Sequence, residues 1–481
     1  MCFLFPSFVS CNPSVEEGSP FLNETYYSYG TNPIPGTLPP LSNSYRPVNL
    51  SSKTYTLDGQ VYSPMNFVTQ DLSFIFDVKA KRALGKSIIT FEMSEVGIPY
   101  FELLATVREI KLNNNIVSFK KIQDPEGQKQ TFIALDSSLN PGGRYDLELT
   151  YELLPTQLSF ASGGVKLLTN MTDLNTSRYF ENWGPVSFED DAFSLSLNLK
   201  ILNSTSTHAL YTNGAATKID GTEWKINFPD YYTKSSFYVH LTNATDLISK
   251  KFIYQGLERE ISVQVYSETA SLVKDAVATL PSLFAEFETD YGPYAHSTFT
   301  AYMHKGSGGM EYVGATITSL GSLDHELLHS WFARGVMPAE GRSGWIDEAF
   351  ASWRDYNYFQ APSLLSRAAT NLAGYSPYRK STANNSYVDG RQLVAELDRL
   401  FADFGGMKPM MKLFFERYKH RVVTNEELWN FLSSLSLMNL DAYFQRYTLG
   451  AMSPQVQSLS HDQNDSKHPH PLTPEEVLNL R

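Results

Sequence analysis

The amino-acid sequence predicts an α+β fold in which an antiparallel β region is followed by a mixed, mainly helical α/β region. Within 51–250, apolar and polar residues alternate with a period of two, as in 193–199 (FSLSLNL), and turn sequences such as 141–143 (PGG) separate the alternating segments. After about residue 260 the apolar residues recur with the period of helices. A chain of 481 residues is long enough for two or three domains.

The changes in composition divide the chain into four parts. Residues 1–50 form an apolar start and a linker rich in Pro, Gly, Ser and Asn. Residues 51–250 form the predicted N-terminal β domain, a sandwich or saddle, and residues 251–450 form the predicted second domain. Residues 451–481 form a polar tail.

The second domain is predicted element by element from periodicity and turn residues. The predicted elements are helices at 270–288, 323–333 and 345–358, strands at 298–304 and 312–319, and amphipathic helices within 387–449 that are split near 405–406.

Charge and cysteine content exclude several classes of protein. The net charge of −12 is opposite in sign to that of a nucleic-acid-binding surface. The only cysteines are Cys2 and Cys11, so a disulfide framework or a zinc–thiolate site in the body of the chain is excluded. No segment approaches the ~18 apolar residues that a membrane-spanning helix needs.

The start of the chain predicts export. Residues 1–10 are apolar, and 8–11 (FVSC) loosely resemble a bacterial lipobox, in which the cysteine is lipidated, although no Lys or Arg precedes them. We therefore expect the protein to be secreted or held in the cell envelope, with Cys11 as a lipid tether to the membrane. A cytoplasmic protein with an ordinary terminus is the alternative.

The most informative motif is an HExxH sequence. His325 and His329 lie four residues apart, so on a helix their rings are about 40° apart and face one point. With Glu348, which follows eighteen residues after the motif, they form a His, His, Glu set that binds one zinc ion and leaves a position for water. Glu326 lies between the two histidines and can take a proton from that water. A chance arrangement is the alternative, but only 10 of the 481 residues are His.

A second motif precedes the first. The segment Gly308-Gly309-Met310-Glu311-Tyr312 places Glu311 fourteen residues before His325. On an edge strand beside the metal, Glu311 can bind the free α-amino group of a substrate, and the glycines permit a close approach of substrate to backbone. The alternative is a β-bulge with an exposed glutamate.

These motifs together resemble those of the aminopeptidase N and leukotriene hydrolase family, which are gluzincins with a thermolysin-like catalytic domain. The similar segments are 290–294 (DYGPY), 308–312 (GGMEY, for GxMEN), 325–348 (HExxH-x18-E), 329–332 (HSWF), 345–351 (WIDEAFA) and 387–390 (YVDG). The general layout is similar over roughly 51–449.

The resemblance implies a role for each matching residue. His325, His329 and Glu348 match the zinc ligands, and Glu326 matches the general base. Glu311 matches the residue that holds the substrate amine, and Gly308, Gly309 and Met310 accompany it in the substrate-binding motif. Tyr387 matches the tyrosine that stabilises the oxyanion, with Tyr375 and Tyr378 as alternatives. Segment 178–183 (RYFENW) resembles the family's second amine-binding segment, with Glu181 as the candidate.

The sequence also departs from the family pattern. Tyr312 replaces the Asn of GxMEN, and the segments between Glu311 and His325 and between Glu348 and Tyr387 are shorter than usual. No large C-terminal helical domain is expected, since only a short tail follows residue 450. We therefore expect a more open site with a less strict limit on substrate length.

The sequence as a whole predicts a zinc-dependent aminopeptidase with one Zn²⁺ per chain, acting on peptides or proteins with free N-termini in a cleft between the two domains. Asp324 and Asp347 flank the ligands and are candidate partners for the ligand histidines, although a solvated helix surface is an alternative. A metallo-endopeptidase and a catalytically weak envelope-binding protein are the alternative functions. The oligomeric state and the preferred side chain are left open.

Overall fold

A computed structural model describes residues 52–125, 131–153, 158–174, 178–365, 367–374 and 376–450. The predicted linker, the Cys11 tether, the polar tail and Tyr375 lie outside the described residues.

The predicted fold class is confirmed, because a large β region precedes a mixed and mainly helical region. The strands of the β region are β1 (Tyr55–Leu57), β2 (Gln60–Asp77), β3 (Arg82–Met93), β4 (Ile98–Glu102), β5 (Thr106–Leu112), β6 (Asn115–Ile116), β7 (Phe119–Gln123), β8 (Thr131–Leu135), β9 (Arg144–Glu152), β10 (Leu158–Ala161), β11 (Gly164–Leu168), β12 (Ser194–Leu202), β13 (His208–Thr212), β14 (Ala215–Lys218), β15 (Glu223–Asn227) and β16 (Val239–Asn243).

These strands form two sheets. The path of the larger, 12-stranded sheet is β14-β15-β12-β2-β3-β9-β5-β6, and the four-stranded sheet has the order β10-β11-β16-β13. Alternation sets the buried face: in β12, Leu195, Leu197, Leu199 and Ile201 are buried. The larger sheet is not wholly antiparallel, because β12 and β4 each pair with β2 in parallel. The sequence pattern could not show this, since the direction of pairing depends on the long connections between the strands.

A five-stranded sheet begins the second region. Its order is β17-β18-β19-β21-β20, formed by β17 (Ile248–Gln255), β18 (Glu260–Ser267), β19 (Thr298–Met303), β20 (Gly309–Tyr312) and β21 (Ala315–Thr318). The domain boundary predicted at residue 250 therefore falls inside β17. The strand predicted at 312–319 is present as β21 but begins three residues later than predicted, because it forms a hairpin with β20 in which Gly314 turns the chain with a φ of 62°. Val313 lies in the turn and is apolar and buried, so the apolar pattern continues through the turn and does not reveal it.

The remaining elements are mostly helices. They are α1 (Ala270–Tyr291), α2 (Leu323–Leu328), α3 (Trp345–Asp355), α4 (Asp389–Leu400), α5 (Met407–Tyr418), α6 (Asn425–Ser436) and α7 (Asp441–Tyr443), with two short paired strands, β22 (Met337–Pro338) and β23 (Val422–Val423). Within the described residues, no helix combines the length and the hydrophobicity that crossing a membrane requires.

The helix predicted at 323–333 ends earlier than expected, at Leu328. The chain then turns back, and the backbone N–H of Arg334 donates to the carbonyl oxygen of His329 over 2.8 Å. Ala333, in this turn, has a φ of 132°. The apolar pattern continues through Trp331 and Phe332 because both side chains are buried in the turn, so periodicity alone extended the helix too far.

Each region has its own apolar core, and a few residues join them. One core surrounds α1 and the helices after it. The other lies in the β region, and Val313, Met337, Ala339 and Val422 of the second region pack into it. The junction places the loop after β11 opposite β20, where the candidate site lies.

Candidate metal centre and substrate pocket

Three predicted metal ligands converge at the end of α2. Nε2 of His325 lies 3.3 Å and Nε2 of His329 lies 3.7 Å from Oε2 of Glu348, which α3 supplies. The ligand atoms of the three residues all lie within 4.8 Å of one another. Glu348 Oε2 is buried and accepts no hydrogen bond from the described residues. A buried carboxylate oxygen that faces two imidazole nitrogens is the donor set that zinc prefers, so these residues fit the ion.

The opposite nitrogens of the two rings are held by partners that sequence reasoning missed. Nδ1 of His325 lies 2.7 Å from the carboxylate of Asp355, and Nδ1 of His329 lies 3.1 Å from the carbonyl oxygen of Phe332. Such contacts fix the orientation of a ligand histidine.

Asp324 and Asp347, the candidates from sequence, have other partners. Asp324 accepts a hydrogen bond from Arg354, and Asp347 accepts one of 2.6 Å from the backbone N–H of Glu348. Neither carboxylate is bonded to the ring of a ligand histidine; Asp324 accepts a 3.0 Å hydrogen bond from the backbone N–H of His325 only. The ring nitrogen of His325 is instead reached by Asp355, which lies eight residues, or about two helical turns, beyond Asp347 at the end of α3.

Glu326 is buried beside the ligands. Only 5% of its surface is exposed, and its Oε2 accepts no hydrogen bond from the described residues. Burial raises the pKa of its carboxyl well above the usual range, and the negative charge of Glu311 adds to this effect. Gly309 packs against it so closely that a Cβ atom there would lie 2.6 Å from the carboxyl carbon.

Tyr387 also reaches the ligand set. It follows a single 3₁₀ turn at Asn384–Ser386, and its hydroxyl donates a 2.5 Å hydrogen bond to Oε1 of Glu348. Burial and the charge of Glu348 raise the pKa of Tyr387, so its hydroxyl stays a proton donor. The alternative Tyr378 is bound elsewhere, since its hydroxyl donates to the carbonyl oxygen of Thr54.

A pocket of about 240 Å³ opens beside the ligands. Gly309, Met310 and Glu311 of β20 line one wall, and the loop 170–174 of the β region lines the other. Gly308 has a φ of 73°, a conformation that glycine adopts without strain. Tyr312, which replaces an Asn in the motif, joins the two walls because its hydroxyl donates a 2.7 Å hydrogen bond to the carbonyl oxygen of Thr169.

Glu311 is held by a buried arginine that the sequence did not single out. Nη2 of Arg334 lies 2.8 Å from Glu311 Oε1, and both side chains are buried. The Arg334 guanidinium also donates to the carbonyl oxygen of Glu311 and to the hydroxyl of Ser235. The other carboxylate oxygen of Glu311, Oε2, takes no part in this ion pair.

Asp173 is a further acid in the pocket, on the wall formed by the β region. Carboxylate oxygens of Asp173, Glu311 and Asp347 lie within 4.8 Å of one another, and all three side chains are buried. Burial raises the pKa of Asp173 well above its usual range, and the negative charge of Glu311 raises it further. No motif or spacing in the sequence indicates Asp173, which lies in the loop after β11.

Glu181 does not line this pocket, which corrects its predicted role. Its carboxylate accepts a 2.9 Å hydrogen bond from Lys380 Nζ and one of 2.8 Å from the backbone N–H of Tyr179. Lys380 also binds Glu102 at 2.9 Å, and all three charged side chains are buried. Glu181 thus belongs to an ionic cluster that ties the segment around Lys380 to the β region. Its sequence context resembled the amine-binding segment, but its carboxylate is occupied by Lys380.

Comparison with known proteins gives similar structures only. No family model matches the sequence, and no curated protein matches it. An M1 zinc metallopeptidase from Deinococcus radiodurans bound to a Tyr-Ser-Ala substrate superposes with a TM-score of 0.59 at 14% identity, covering 81% of this chain and 95% of that one.

Two other solved structures are similar. Aminopeptidase A from Legionella pneumophila, in complex with aspartic acid, has a TM-score of 0.61 at 15% identity. The superposition covers 80% of this chain and 49% of that one. Yeast LTA4 hydrolase has a TM-score of 0.56 at 12% identity, with 87% of this chain and 73% of that one covered. The chain therefore has the fold of the M1 zinc metallopeptidases, as its motifs predicted.

Proposed function

We propose that the protein is a zinc-dependent peptidase that removes N-terminal residues from peptides. One observation carries the proposal: a His, His, Glu ligand set lies in the same pocket as the carboxylates of Asp173 and Glu311 and as Glu326, whose buried Oε2 accepts no hydrogen bond from the described residues. The fold of known zinc metallopeptidases supports it.

His325, His329 and Glu348 would hold the zinc ion. When bound, zinc would act as a Lewis acid that polarises the scissile carbonyl and lowers the pKa of water. Glu326 would take a proton from the attacking water and later give it to the leaving amine.

The acidic cluster would bind the α-ammonium group of the substrate. An ammonium group has three N–H donors, and Asp173 and Glu311 each present a carboxylate to the pocket, with the carboxylate of Asp347 within 4.8 Å of theirs. A free N-terminus held there would place the first peptide bond beside Glu326, since Gly309 on the same strand contacts that residue. The pocket would then release one residue at a time.

Tyr387 would donate a hydrogen bond to the oxyanion that forms when water attacks. Its hydroxyl donates to Glu348 Oε1, so it already lies beside the ligand set, and a rotation of the side chain would redirect the proton. One such donor contributes roughly 3–4 kcal/mol to stabilisation of the transition state.

Endopeptidase activity is the second candidate, and one observation favours it. Arg334 neutralises part of the charge of Glu311 and occupies one of its oxygens, which weakens the attraction of the pocket for an ammonium group. The two candidates differ in whether a blocked N-terminus prevents cleavage.

The deciding experiment uses one peptide with either a free or an N-acetylated terminus and identifies the products by mass spectrometry. We expect stepwise loss of residues from the free peptide only. Internal cleavage of both forms would establish an endopeptidase and remove the proposed role of the acidic cluster.

Glu326→Gln is the matched control variant, since it keeps the shape of the side chain and removes the base. We expect it to bind one zinc ion per chain, as the wild type does, and to lose turnover by at least about a hundredfold. Unchanged hydrolysis in this variant would refute the mechanism. Zinc binding without any cleavage in the wild type would instead favour a binding protein.

A further inference from the structure

A second, open pocket of about 440 Å³ adjoins the first. We call it the basic pocket; it is lined mainly by His304, Lys305, Ser307, Ser319, Leu320 and Ser322. His304 and Ser307 line both pockets, so the two are continuous. The role proposed above for the metal centre does not use the basic pocket.

The two pockets differ sharply in charge. Asp173, Glu311, Glu326 and Glu348 line the first, whereas no carboxylate is among the residues that line the second. Lys305 is exposed at the basic pocket and forms no salt bridge within the part of the chain that the structure describes. A cation without a partner, surrounded by the hydroxyl groups of Ser307, Ser319 and Ser322, suits an anionic group.

The geometry of β20 fixes the direction in which a substrate would run. This inference rests on the proposed function, in which the substrate amine is bound at Glu311. Because Gly309 contacts Glu326, the reacting bond lies near Gly309, and the rest of the peptide continues towards Ser307 and Lys305. β20 is at the edge of its sheet, so an extended peptide can pair with it in the antiparallel direction.

From these observations we infer that the basic pocket binds the free C-terminal carboxylate of a short peptide, with Lys305 as its charged partner. The four residue-to-residue steps from Glu311 to Ser307 span roughly 13 Å when extended, so a peptide of about three or four residues would reach from one pocket to the other. The substrate class is therefore short peptides that carry a charge at both ends.

The apolar part of the basic pocket fits the last residue of such a peptide. Leu272 and Leu320 line it, and Leu320 is 37% exposed. A C-terminal residue with an apolar side chain would contact these leucines while its carboxylate faces Lys305. This arrangement predicts selectivity by length, since in a longer peptide the carboxylate would lie beyond Lys305.

The test compares Ala-Ala-Ala-Leu as the free acid with the same peptide as its C-terminal amide, by initial rates of alanine release. For the wild type we expect kcat/KM to be higher for the acid by about fivefold or more, the size of one charge-assisted hydrogen bond at a partly exposed site. Lys305→Gln should remove this difference by raising KM for the acid, and Lys305→Arg should retain it. Lys251→Gln, which changes an exposed lysine on β17, is the matched control and should behave as the wild type does.

Equal rates for acid and amide in the wild type would overturn the inference, as would a difference that persists in Lys305→Gln. Titration calorimetry of zinc-loaded Glu326→Gln with both peptides separates this outcome from a failure of the proposed function. Tighter binding of the acid that depends on Lys305 would support the basic pocket even if no peptide were cleaved. Equal binding of both forms, with cleavage intact in the wild type, would refute the basic pocket and leave the proposed function standing.

Discussion

Asp355 binds the ring nitrogen of His325 that faces away from Glu348, at 2.7 Å. A carboxylate in this position orients the ring and makes its other nitrogen a better metal ligand, and removing one typically weakens metal binding 10–100-fold. We therefore predict that Asp355→Asn lowers the affinity for zinc by about 10–100-fold while the far-UV circular dichroism spectrum is unchanged. Competition with a fluorescent chelator measures this affinity directly.

Asp324→Asn is the control for this prediction. Asp324 precedes His325 in sequence but forms a salt bridge with Arg354 instead, so zinc affinity should stay within about twofold of the wild type. A loss in Asp324→Asn that equals the loss in Asp355→Asn would contradict the assignment of Asp355.

Local spacing explains which site residues the sequence could predict. His325, Glu326 and His329 are related by one helical turn, so their proximity follows from helix geometry alone. Asp355, Asp173 and Arg334 act through contacts between segments that only the tertiary fold brings together, and no spacing rule indicates them. Glu181 shows the converse error, since its neighbours in sequence were suggestive but Lys380 binds its carboxylate.

At the scale of elements, the packing of β20 against α2 sets the position of the general base. Gly309 leaves room for the carboxyl group of Glu326, and a Cβ atom there would lie 2.6 Å from it. We predict that Gly309→Ala displaces Glu326 and lowers kcat by roughly a hundredfold, the usual result of a misplacement of about 1 Å. The measurement combines kcat with zinc content, which should stay at one ion per chain.

Gly308→Ala, one residue before β20, is the matched control. No atom lies within 4 Å of a Cβ at Gly308, but its φ of 73° strains any other residue. This variant should lose about 1 kcal/mol of unfolding free energy and retain kcat within about threefold. If both variants lost kcat equally, the effect would belong to the backbone of β20 and not to contact with Glu326.

The elements themselves were predicted with uneven success, for physical reasons. Alternation and helical periodicity report which side chains are buried, so β12 and α1 were recognised. The start of β21 and the end of α2 were misjudged, because buried residues such as Val313 and Trp331 continue the apolar pattern through turns. Direction of pairing, as between β2 and β12, leaves no mark on periodicity.

At the scale of the whole molecule, three distant segments meet at a junction of buried His296 with half-buried Tyr231 and His420. The Tyr231 hydroxyl lies 3.3 Å from Nδ1 of His296, and the rings of Tyr231 and His420 are 4.0 Å apart. Tyr231 follows the last strands of the larger sheet, His296 precedes β19 and His420 follows α5. Because these contacts join the β region to both the sheet and the helices of the second region, the junction links folding of the two regions.

This junction predicts sensitivity to acid. Burial, reinforced by the positive charge of His420, lowers the pKa of His296 to about 3, whereas burial lowers that of His420 to about 4. An unfolded histidine has a pKa of about 6.5, so between pH 6.5 and 4 the unfolded state binds more protons than the folded state. The stability that the two neutral rings contribute is therefore complete above pH 6.5 and is lost as the pH falls towards 4.

Urea unfolding at pH 7.5 and pH 5.0 tests the prediction. Protonation of His296 in the unfolded state should lower the unfolding free energy by about 2 kcal/mol between the two pH values. Each pH unit below 6.5 contributes about 1.36 kcal/mol, and pH 5.0 lies about 1.5 units below it. His296→Phe keeps an aromatic ring but cannot be protonated. The variant should be less stable than the wild type at pH 7.5, because Tyr231 loses a hydrogen-bond partner, yet its free energy should change less between the two pH values. Carboxyl groups elsewhere contribute equally to both proteins, so the difference between the two pH dependences isolates His296. An identical loss of unfolding free energy in both proteins would show that the junction does not cause the sensitivity to acid.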